Sequence, residues 1–239
     1  GVSLTATREN AEEILSDEFI EFLFHKKHAV MGWIFQYMPI GRSYTLGLMP
    51  TPEQRLQMWK QSWKLVREKS IFLADFWNHG TVVDGCLSAG GHGNGGYMYI
   101  DWNGNVSPCV FVPYSPVNIK DVYAKGGNLT DIFNEPFFAD LRKWQADIKI
   151  QTNGKNLLNP CPIRDHNADL RQLIRKHEVE PLDLNAAEAL QDANYAKGMD
   201  VYDEKYQKIV DTVWEKVYVQ NSPLEAEDTE KLTELFAEK

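Results

Sequence analysis

Three cysteines are the residues whose type and setting point most directly to chemistry in this sequence. Cys86 opens a glycine-rich stretch, Cys109 follows a pattern typical of a hairpin, and Cys161 lies between two prolines. Turns of this kind let several thiolates converge at about 2.3 Å from a metal while backbone N–H groups face the sulfurs. The spacings are wide and include no C-x-x-C pair, so burial of small apolar thiols and metal ligation are both open.

Length and charge narrow the class of protein. The 239 residues carry 34 acidic and 25 basic side chains, and the net charge of −9 argues against a nucleic-acid binder, which needs surplus Lys and Arg. No apolar run reaches the roughly 20 residues that span a bilayer, and the first residues show no secretory signal pattern. We therefore expect a cytoplasmic protein with no membrane span, in a compartment that disfavours disulfides.

The acidic excess lies near the end of the chain, where residues 167–239 hold 17 acidic and 9 basic side chains. From Asn185 onward the composition predicts helices, with an apolar stripe that packs on the main body: Tyr202, Tyr206, Ile209, Val213, Trp214 and Val217. The acidic face is expected to be solvated, with a partner surface or a lid as the alternatives. At the other end, the residues after Gly1 already read as a strand, so we expect the C-terminal part of a longer protein.

Hydrophobic periodicity predicts a parallel α/β arrangement in the first part of the chain. Strand, helix, strand, helix and strand are predicted, in that order, over residues 2–7, 10–27, 32–42, 51–69 and 71–78. Asn10 is predicted to cap the first helix. The middle strand is almost continuously apolar, which predicts cover on both of its faces. Functional side chains are expected at the carboxyl ends of these strands.

The alternation of predicted strands and helices ends at His79. Asn103-Gly104 lies between two β-rich runs and predicts a hairpin, because such turns need residues that tolerate positive φ. One helix is then predicted from Leu129 to Trp144, followed by a loop that contains Cys161. This part of the chain predicts a small α+β region.

The residues around the hairpin carry a resemblance to a known family. G-C at 85–86, the glycine-rich loop, Y-I-D-W-N-G-N-V-S-P-C-V-F at 99–111 and P-Y-S-P-V-N-I-K-D-V-Y at 113–123 resemble the auxiliary iron–sulfur cluster domain, of the SPASM or twitch kind, of radical S-adenosylmethionine (SAM) enzymes. The strand-helix units before it resemble the last units of the partial barrel in the same superfamily. The resemblance covers residues 1 to about 166.

The resemblance implies an α/β fold in three parts. Residues 1–80 would be the C-terminal βα units of a partial (β/α)6 barrel, residues 81–166 a small α+β auxiliary-cluster domain, and residues 167–239 an acidic helical tail. The whole enzyme would cleave SAM reductively to a 5′-deoxyadenosyl radical. This chain lacks the C-x-x-x-C-x-x-C loop that holds the SAM-cleaving cluster, so it should be inactive without the missing N-terminal half.

The implied cofactors are SAM, in the whole enzyme, and one [4Fe–4S] cluster held by Cys86, Cys109 and Cys161. Such a cluster has four ligand positions, and the fourth could be His166, Asp165, a cysteine of the missing half, or a position left open for substrate. The implied partners are a small-molecule or peptide substrate and a reductant such as ferredoxin or flavodoxin. Zinc is the alternative metal. The alternative function is that of a non-catalytic binding or scaffold module in which the metal only stabilises the fold.

Five polar residues are candidates for SAM binding in the resembled barrel. Ser3, Thr5 and Thr7 offer hydroxyls from one strand face, Gln36 is polar in an apolar strand, and Arg42 could pair with the SAM carboxylate. Each has a simpler alternative: packing for the hydroxyls, a backbone partner for Gln36 and a local ion pair for Arg42.

Asp75 and His79 follow the third strand and are the candidates for contact with substrate. His79 could move a proton, since an imidazole titrates near pH 6.5. His92, among the glycines, is a further candidate for approach to the cluster. Hydrogen bonding within a loop is the alternative for Asp75 and His79, and simple solvation is the alternative for His92.

Overall fold

The first part of the chain forms a small parallel sheet. β1 (Val2–Ala6) pairs with β2 (Gly32–Gln36), and β2 pairs with β3 (Leu73–Asp75), in the spatial order β1-β2-β3. The three predicted strands are confirmed in type and parallel pairing, although each is shorter than predicted. The computed structural model describes residues 1–91, 96–151, 156–225, 228 and 232.

The segment between β1 and β2 differs from the single helix predicted from Asn10. A 3-10 turn at Glu13–Leu15 precedes α1 (Asp17–Ile20), and a π-helical turn at Glu21–Lys26 follows it. Ser16 caps α1, because its hydroxyl accepts a hydrogen bond from a backbone N–H of the first turn.

Asn10 has a different role from the predicted helix cap. Its side-chain oxygen accepts from the backbone N–H of Thr7 at 2.7 Å, and its amide donates to the Thr5 carbonyl at 3.1 Å. Asn10 therefore closes the turn that follows β1. An asparagine can satisfy a turn as readily as a helix start, so the local pattern could not separate the two.

The second predicted helix is confirmed as α2 (Pro52–Arg67). Thr51 and Gln54 form a capping box, in which each side chain accepts from the other's backbone N–H, at 3.2 and 3.0 Å. The buried side of α2 packs on the sheet through a cluster that includes Met58, Leu65, Ile34 and Leu73.

Helices cover one face of the parallel sheet. Ile34 and Leu73 point toward α2, whereas Ser3, Thr5 and Trp33 share the opposite face by register. Trp33 is 38% exposed, and Ser3 and Thr5 are exposed too. The second face of β2 is therefore only partly covered: Phe35 packs against Trp77 and Phe111, whereas Trp33 is open.

The hairpin predicted at Asn103-Gly104 is confirmed. β4 (Tyr99–Ile100) and β5 (Asn105–Ser107) are antiparallel, and the Asp101 carboxylate accepts from the backbone N–H groups of Asn103 and Asn105 at 2.8 and 2.9 Å. Gly104 has φ +92°, which a side chain would strain. The turn is thus fixed by Asp101 and Gly104 together.

Two short strands and three helices follow the hairpin. β6 (Tyr114–Ser115) precedes β7 (Val117–Asn118), which extends the hairpin sheet by pairing with β5. The helices are α3 (Ile119–Ala124), α4 (Leu129–Phe133) and α5 (Pro136–Gln151).

The single helix predicted from Leu129 to Trp144 is two helices, and the break has a local cause. Pro136 has no N–H with which to continue a helix, so it starts α5 rather than extending α4. The Glu135 carboxylate accepts from the backbone N–H of Phe137 at 2.8 Å and so serves as a cap for the new helix.

The remaining residues form α6 (Asn167–Lys176), β8 (Glu180–Pro181), α7 (Leu184–Gln191) and α8 (Ala193–Val213), with a π-helical turn at the end of α8. β8 pairs with β6, and α8 packs on both α2 and α6. The predicted packing stripe is confirmed: Trp214 and Val217 are half-buried against the core, and the other four residues are buried, namely Tyr202, Tyr206, Ile209 and Val213.

The described residues thus form a mixed α/β structure with small sheets. Among them, no helix combines the length and the apolar composition that crossing a bilayer requires.

Candidate metal centre

All three cysteines line one cavity of about 430 Å³, which lies against β3, an outer strand of the parallel sheet. Tyr97 and His79 also line it, and much of the remaining wall is aromatic: Trp33, Trp63, Phe72, Phe76, Trp77 and Phe111. Three residues far apart in sequence therefore bring their thiols to a common, largely apolar space.

Backbone hydrogen bonds hold the loop of Cys86 against the hairpin region. The Tyr97 N–H donates to the Leu87 carbonyl at 3.0 Å, and the Ala89 N–H donates to the Pro108 carbonyl at 2.9 Å. Ala89 has a left-handed φ of 58° and is fully buried. The residues that directly follow Cys86 are thus fixed relative to the hairpin and Cys109.

Two groups lie within hydrogen-bond distance of the Cys109 sulfur. The Tyr97 hydroxyl is 2.8 Å from its sulfur, and the backbone N–H of Phe111 is 3.5 Å away. The Phe111 ring packs on Trp77 with ring centres 5.3 Å apart, which ties the hairpin to the end of β3. These contacts place the Cys109 thiol between the two sheets.

Cys161 is held by the turn that follows it. The Asp165 N–H donates to the Cys161 carbonyl at 2.8 Å, and Pro160 and Pro162 restrict the backbone on either side. Only 8% of Cys161 is exposed. The position of this thiol is therefore set by the buried groups around Asp165.

Burial raises the pKa of all three thiols: to about 11 for Cys86 and Cys109 and to about 12 for Cys161, where the Asp165 charge adds to the effect of burial. At neutral pH the thiols are protonated and unreactive. A metal must therefore displace protons as it binds.

The donor chemistry around the cavity fits an iron–sulfur cluster. Thiolates are the ligands of such clusters, and the hydroxyl and N–H beside Cys109 suit a negatively charged sulfur. In the described part of the chain, no three His, Cys, Asp or Glu side chains are grouped as the ligands of one metal ion would be. The three thiols line one shared space, as the ligands of a cluster with several iron atoms would.

The two side chains predicted as a fourth ligand have other partners. Asp165 is paired with two buried arginines, and the His166 ring nitrogen Nε2 is 2.9 Å from the Asn159 carbonyl oxygen. Neither residue lines the cavity. Both are close to Cys161 in sequence, but the turn directs their side chains elsewhere.

The five candidates for SAM binding are not brought together. Ser3 and Thr5 lie on the open face of the sheet, and Thr7 lies in the turn after β1, where its hydroxyl accepts from the Glu9 N–H at 3.3 Å. Arg42 is exposed and lines a separate surface cleft beside the N-terminus of α8. Their role stays a prediction.

Gln36 and Asp75 meet on the covered face of the sheet. The Gln36 amide donates to both carboxylate oxygens of Asp75 at 3.1 Å, and its oxygen accepts from Arg164 at 2.8 Å. Asp75 also accepts from two backbone N–H groups and from the Asn78 side chain. These protein partners explain why Gln36 and Asp75 are polar and buried, and no bound ligand is needed. The sequence had left both explanations open.

His79 lines the cavity and is 9% exposed. Its Nε2 is 3.0 Å from the Ser62 hydroxyl, and its ring lies against Trp63 with centres 4.3 Å apart. Burial lowers the pKa of His79, although the nearby Asp75 charge opposes this effect. His92 lies outside the described residues.

A buried network of charges next to Cys161 was missed by the sequence analysis. Arg55 is 0% exposed, and it donates to Asp165 at 2.7 Å, while Arg164 donates to the same carboxylate oxygen at 3.1 Å. The Arg55 guanidinium also stacks on the Tyr206 ring, 3.2 Å from its centre. No local pattern reveals such partners, because Arg55 and Asp165 are 110 positions apart.

Asp203 on α8 is a second carboxyl near this network, and it gives a prediction about pH. Burial, followed by the Asp165 charge, raises the pKa of Asp203 to about 8. An unfolded Asp titrates near 4, so the proton favours the folded state, and this contribution is lost as pH rises toward 8. We expect Asp203→Asn to raise the free energy of unfolding by about 1–3 kcal/mol at pH 8 and to change it little at pH 4.

Urea unfolding at the two pH values would measure this effect. Glu204→Gln removes a charge from an exposed neighbouring position and is the control. A gain at pH 8 that Glu204→Gln reproduces would show a general charge effect instead.

Comparison with known families supports the cofactor. Residues 92–165 match the family model of SPASM, an iron–sulfur cluster-binding domain. The matched range includes Cys109 and Cys161 and begins shortly after Cys86. Comparisons with curated proteins and with solved structures each gave no match.

Proposed function

We propose that Cys86, Cys109 and Cys161 hold one auxiliary [4Fe–4S] cluster. The observation that carries the proposal is that three distant thiols line a single cavity in and next to a region matching an iron–sulfur family. The fourth iron position is assigned to the cavity, because Asp165 and His166 are engaged with other groups. A substrate or a residue from another part of the enzyme would complete it.

The chain is assigned to the C-terminal part of a radical SAM oxidoreductase. The parallel order β1-β2-β3, with helices on one face and a partly open second face, is what a section of a partial barrel would look like. The sequence resemblance supports the same assignment. The open face with Ser3 and Thr5 would then line the barrel interior.

A bound cluster supplies one-electron chemistry or, at an open iron, a Lewis acid. The chain's own residues supply its surroundings. With a cluster bound, Tyr97 and the Phe111 N–H would donate to the Cys109 sulfur, and the Trp77 and Phe111 rings that line the cavity would keep water from that side. These groups would set the potential and the solvent access of the cluster.

Metal analysis of anaerobically purified protein tests the cluster. We expect about four iron atoms and four sulfides per chain, with a brown colour and an EPR signal after reduction. A colourless protein that binds zinc instead would support the scaffold alternative. For the assignment to a radical SAM enzyme, the complete enzyme with SAM and a reductant should form 5′-deoxyadenosine, and its failure to do so would contradict that assignment.

Tyr97 gives a prediction about the cluster's potential. A hydrogen bond from its hydroxyl to the Cys109 sulfur stabilises the more negative, reduced cluster. We expect Tyr97→Phe to lower the midpoint potential by roughly 30–60 mV, since about 59 mV corresponds to a tenfold change for one electron. An EPR-monitored redox titration measures this shift.

Tyr99→Phe is the matched control, because Tyr99 is a nearby tyrosine that does not line the cavity. Equal potentials for Tyr97→Phe and the unaltered protein, at full iron content, would mean that Tyr97 does not bond to the cluster ligand.

A further inference from the structure

The contact between His79 and Ser62 bears on which ring nitrogen of His79 carries the proton. The Ser62 hydroxyl donates its only hydrogen to the Trp59 carbonyl, at 3.2 Å, so toward His79 it acts as an acceptor. With Ser62 as the acceptor, Nε2 of His79 carries the hydrogen of the 3.0 Å contact. Nδ1 is left as an unprotonated acceptor, and it has no hydrogen-bond partner within the described ranges.

The setting of this nitrogen indicates a ligand. Ser62 belongs to α2 and is not part of the cavity wall, so Nε2 is directed away from the cavity that His79 lines. The two ring nitrogens of an imidazole point in different directions, which leaves Nδ1 available on the cavity side. A ring nitrogen that faces the cavity without a protein partner can accept a hydrogen bond from a ligand with an O–H or N–H group.

The other side chains that line the cavity indicate the chemistry of the rest of the ligand. Aromatic rings and valines surround the space, including Trp33, Phe72, Phe76, Val82 and Val83. Flat apolar groups pack well on such rings. An ion would lose its hydration without gaining a counter-ion, because the Asp75 carboxylate is already occupied by protein donors.

We propose that this cavity binds an uncharged ligand with an aromatic body and one hydroxyl or amine hydrogen that is donated to His79 Nδ1. The cavity of about 430 Å³ also has to hold the cluster, so the ligand is a small one, near the lower end of the usual range of about 300–1,000 Å³ for small-molecule sites. The inference rests on the proposed function in one respect: the ligand would lie beside the cluster that the thiols hold. It names the class of substrate that this site accepts.

Three small probes of similar shape test the proposal on the whole cluster-loaded chain. 4-Methylphenol has the donor, 4-methylanisole has the oxygen without the hydrogen, and toluene has neither. Ligand-observed NMR titrations should give about fivefold tighter binding of 4-methylphenol than of 4-methylanisole. Benzoate should bind more weakly than all three.

His79→Leu should bring the affinity ratio of 4-methylphenol to 4-methylanisole close to one, while toluene affinity stays within about twofold. Retained toluene binding shows that the cavity is still formed. If His79→Leu does not fold, Ser62→Ala provides the second variant. It removes the acceptor that favours the Nε2-protonated tautomer of His79, so it should also reduce the affinity ratio of 4-methylphenol to 4-methylanisole. His25→Leu, at an exposed position, is the control.

Equal affinities of the unaltered protein for the two oxygen-containing probes would overturn the inference, as would a preference that persists in His79→Leu or in Ser62→Ala. Iron is measured on the same samples. Selective binding of 4-methylphenol without iron would contradict the cluster alone, whereas full iron content without this selectivity would contradict the ligand class alone.

Discussion

Cys161→Ser is expected to reduce bound iron from about four atoms per chain to less than about one. A serine hydroxyl is a poor replacement for a thiolate, and the cavity offers no other sulfur once all three cysteines are assigned. Cys86→Ser and Cys109→Ser should give the same loss. Iron and sulfide analysis after anaerobic reconstitution measures it.

Val110→Ser is the control for these variants, because this residue is adjacent to Cys109 but is exposed. It should retain full iron content. If Cys161→Ser also retained it, Cys161 would be a buried structural thiol, and the cluster would have to lie elsewhere.

The second large effect is expected at Asp165, between Arg55 and Arg164. Removing one partner from a buried ion pair leaves charge without compensation, so Asp165→Asn should lower the free energy of unfolding by about 3–5 kcal/mol. The turn that holds Cys161 depends on the same residue, so iron content should fall as well. Urea unfolding and iron analysis measure the two effects.

The pH dependence follows from the same carboxylate. Burial alone would raise the pKa of Asp165, but the Arg164 and Arg55 charges outweigh it and lower this pKa to about 2. An unfolded Asp titrates near 4, so the carboxylate stabilises the fold above that pH, and this contribution is lost as pH falls toward 2. The free energy of unfolding of Asp165→Asn should therefore fall less steeply between about pH 4 and pH 2 than that of the unaltered protein.

Asp17→Asn is the control for the loss of an ion pair, because Asp17 pairs with Lys69 at an exposed site. Exposed pairs contribute little, so its effect should be small. A similar, small effect of Asp165→Asn would show that the arginines find other partners.

The buried network explains why the acidic tail is not a separate appendage. Tyr206 of α8 lies under the Arg55 guanidinium, and its hydroxyl donates to the Leu158 carbonyl at 3.1 Å, three residues before Cys161. Tyr202 donates to the Pro50 carbonyl at 2.8 Å, just before α2. Packing of α8 thus helps to fix the segment that carries the third thiol.

Features set by neighbouring residues could be predicted from the sequence. The hairpin at Gly104 needed only residues with the right φ, and α2 needed only the Thr51 cap and an apolar periodicity. The thiols could be selected because each lies in a turn, and the resemblance supplied a reason for them to converge.

Features set by distant partners could not be predicted. The partly open face of β2 depends on which elements pack over it, and β8 was not recognised because its partner β6 lies far back in the chain. Gln36 and Asp165 read as candidate ligands, but their partners are arginines brought close only by the fold. Similarly, Tyr97 acquires its relation to Cys109 through loop closure.

An X-ray diffraction experiment at the iron absorption edge, on anaerobically grown crystals of the cluster-loaded protein, tests the central claim most directly. We predict a strong anomalous peak inside the cavity, with the sulfurs of Cys86, Cys109 and Cys161 each about 2.3 Å from an iron atom. A cavity without iron signal, with the three thiols in ordinary packing contacts or around a zinc ion, would contradict the account.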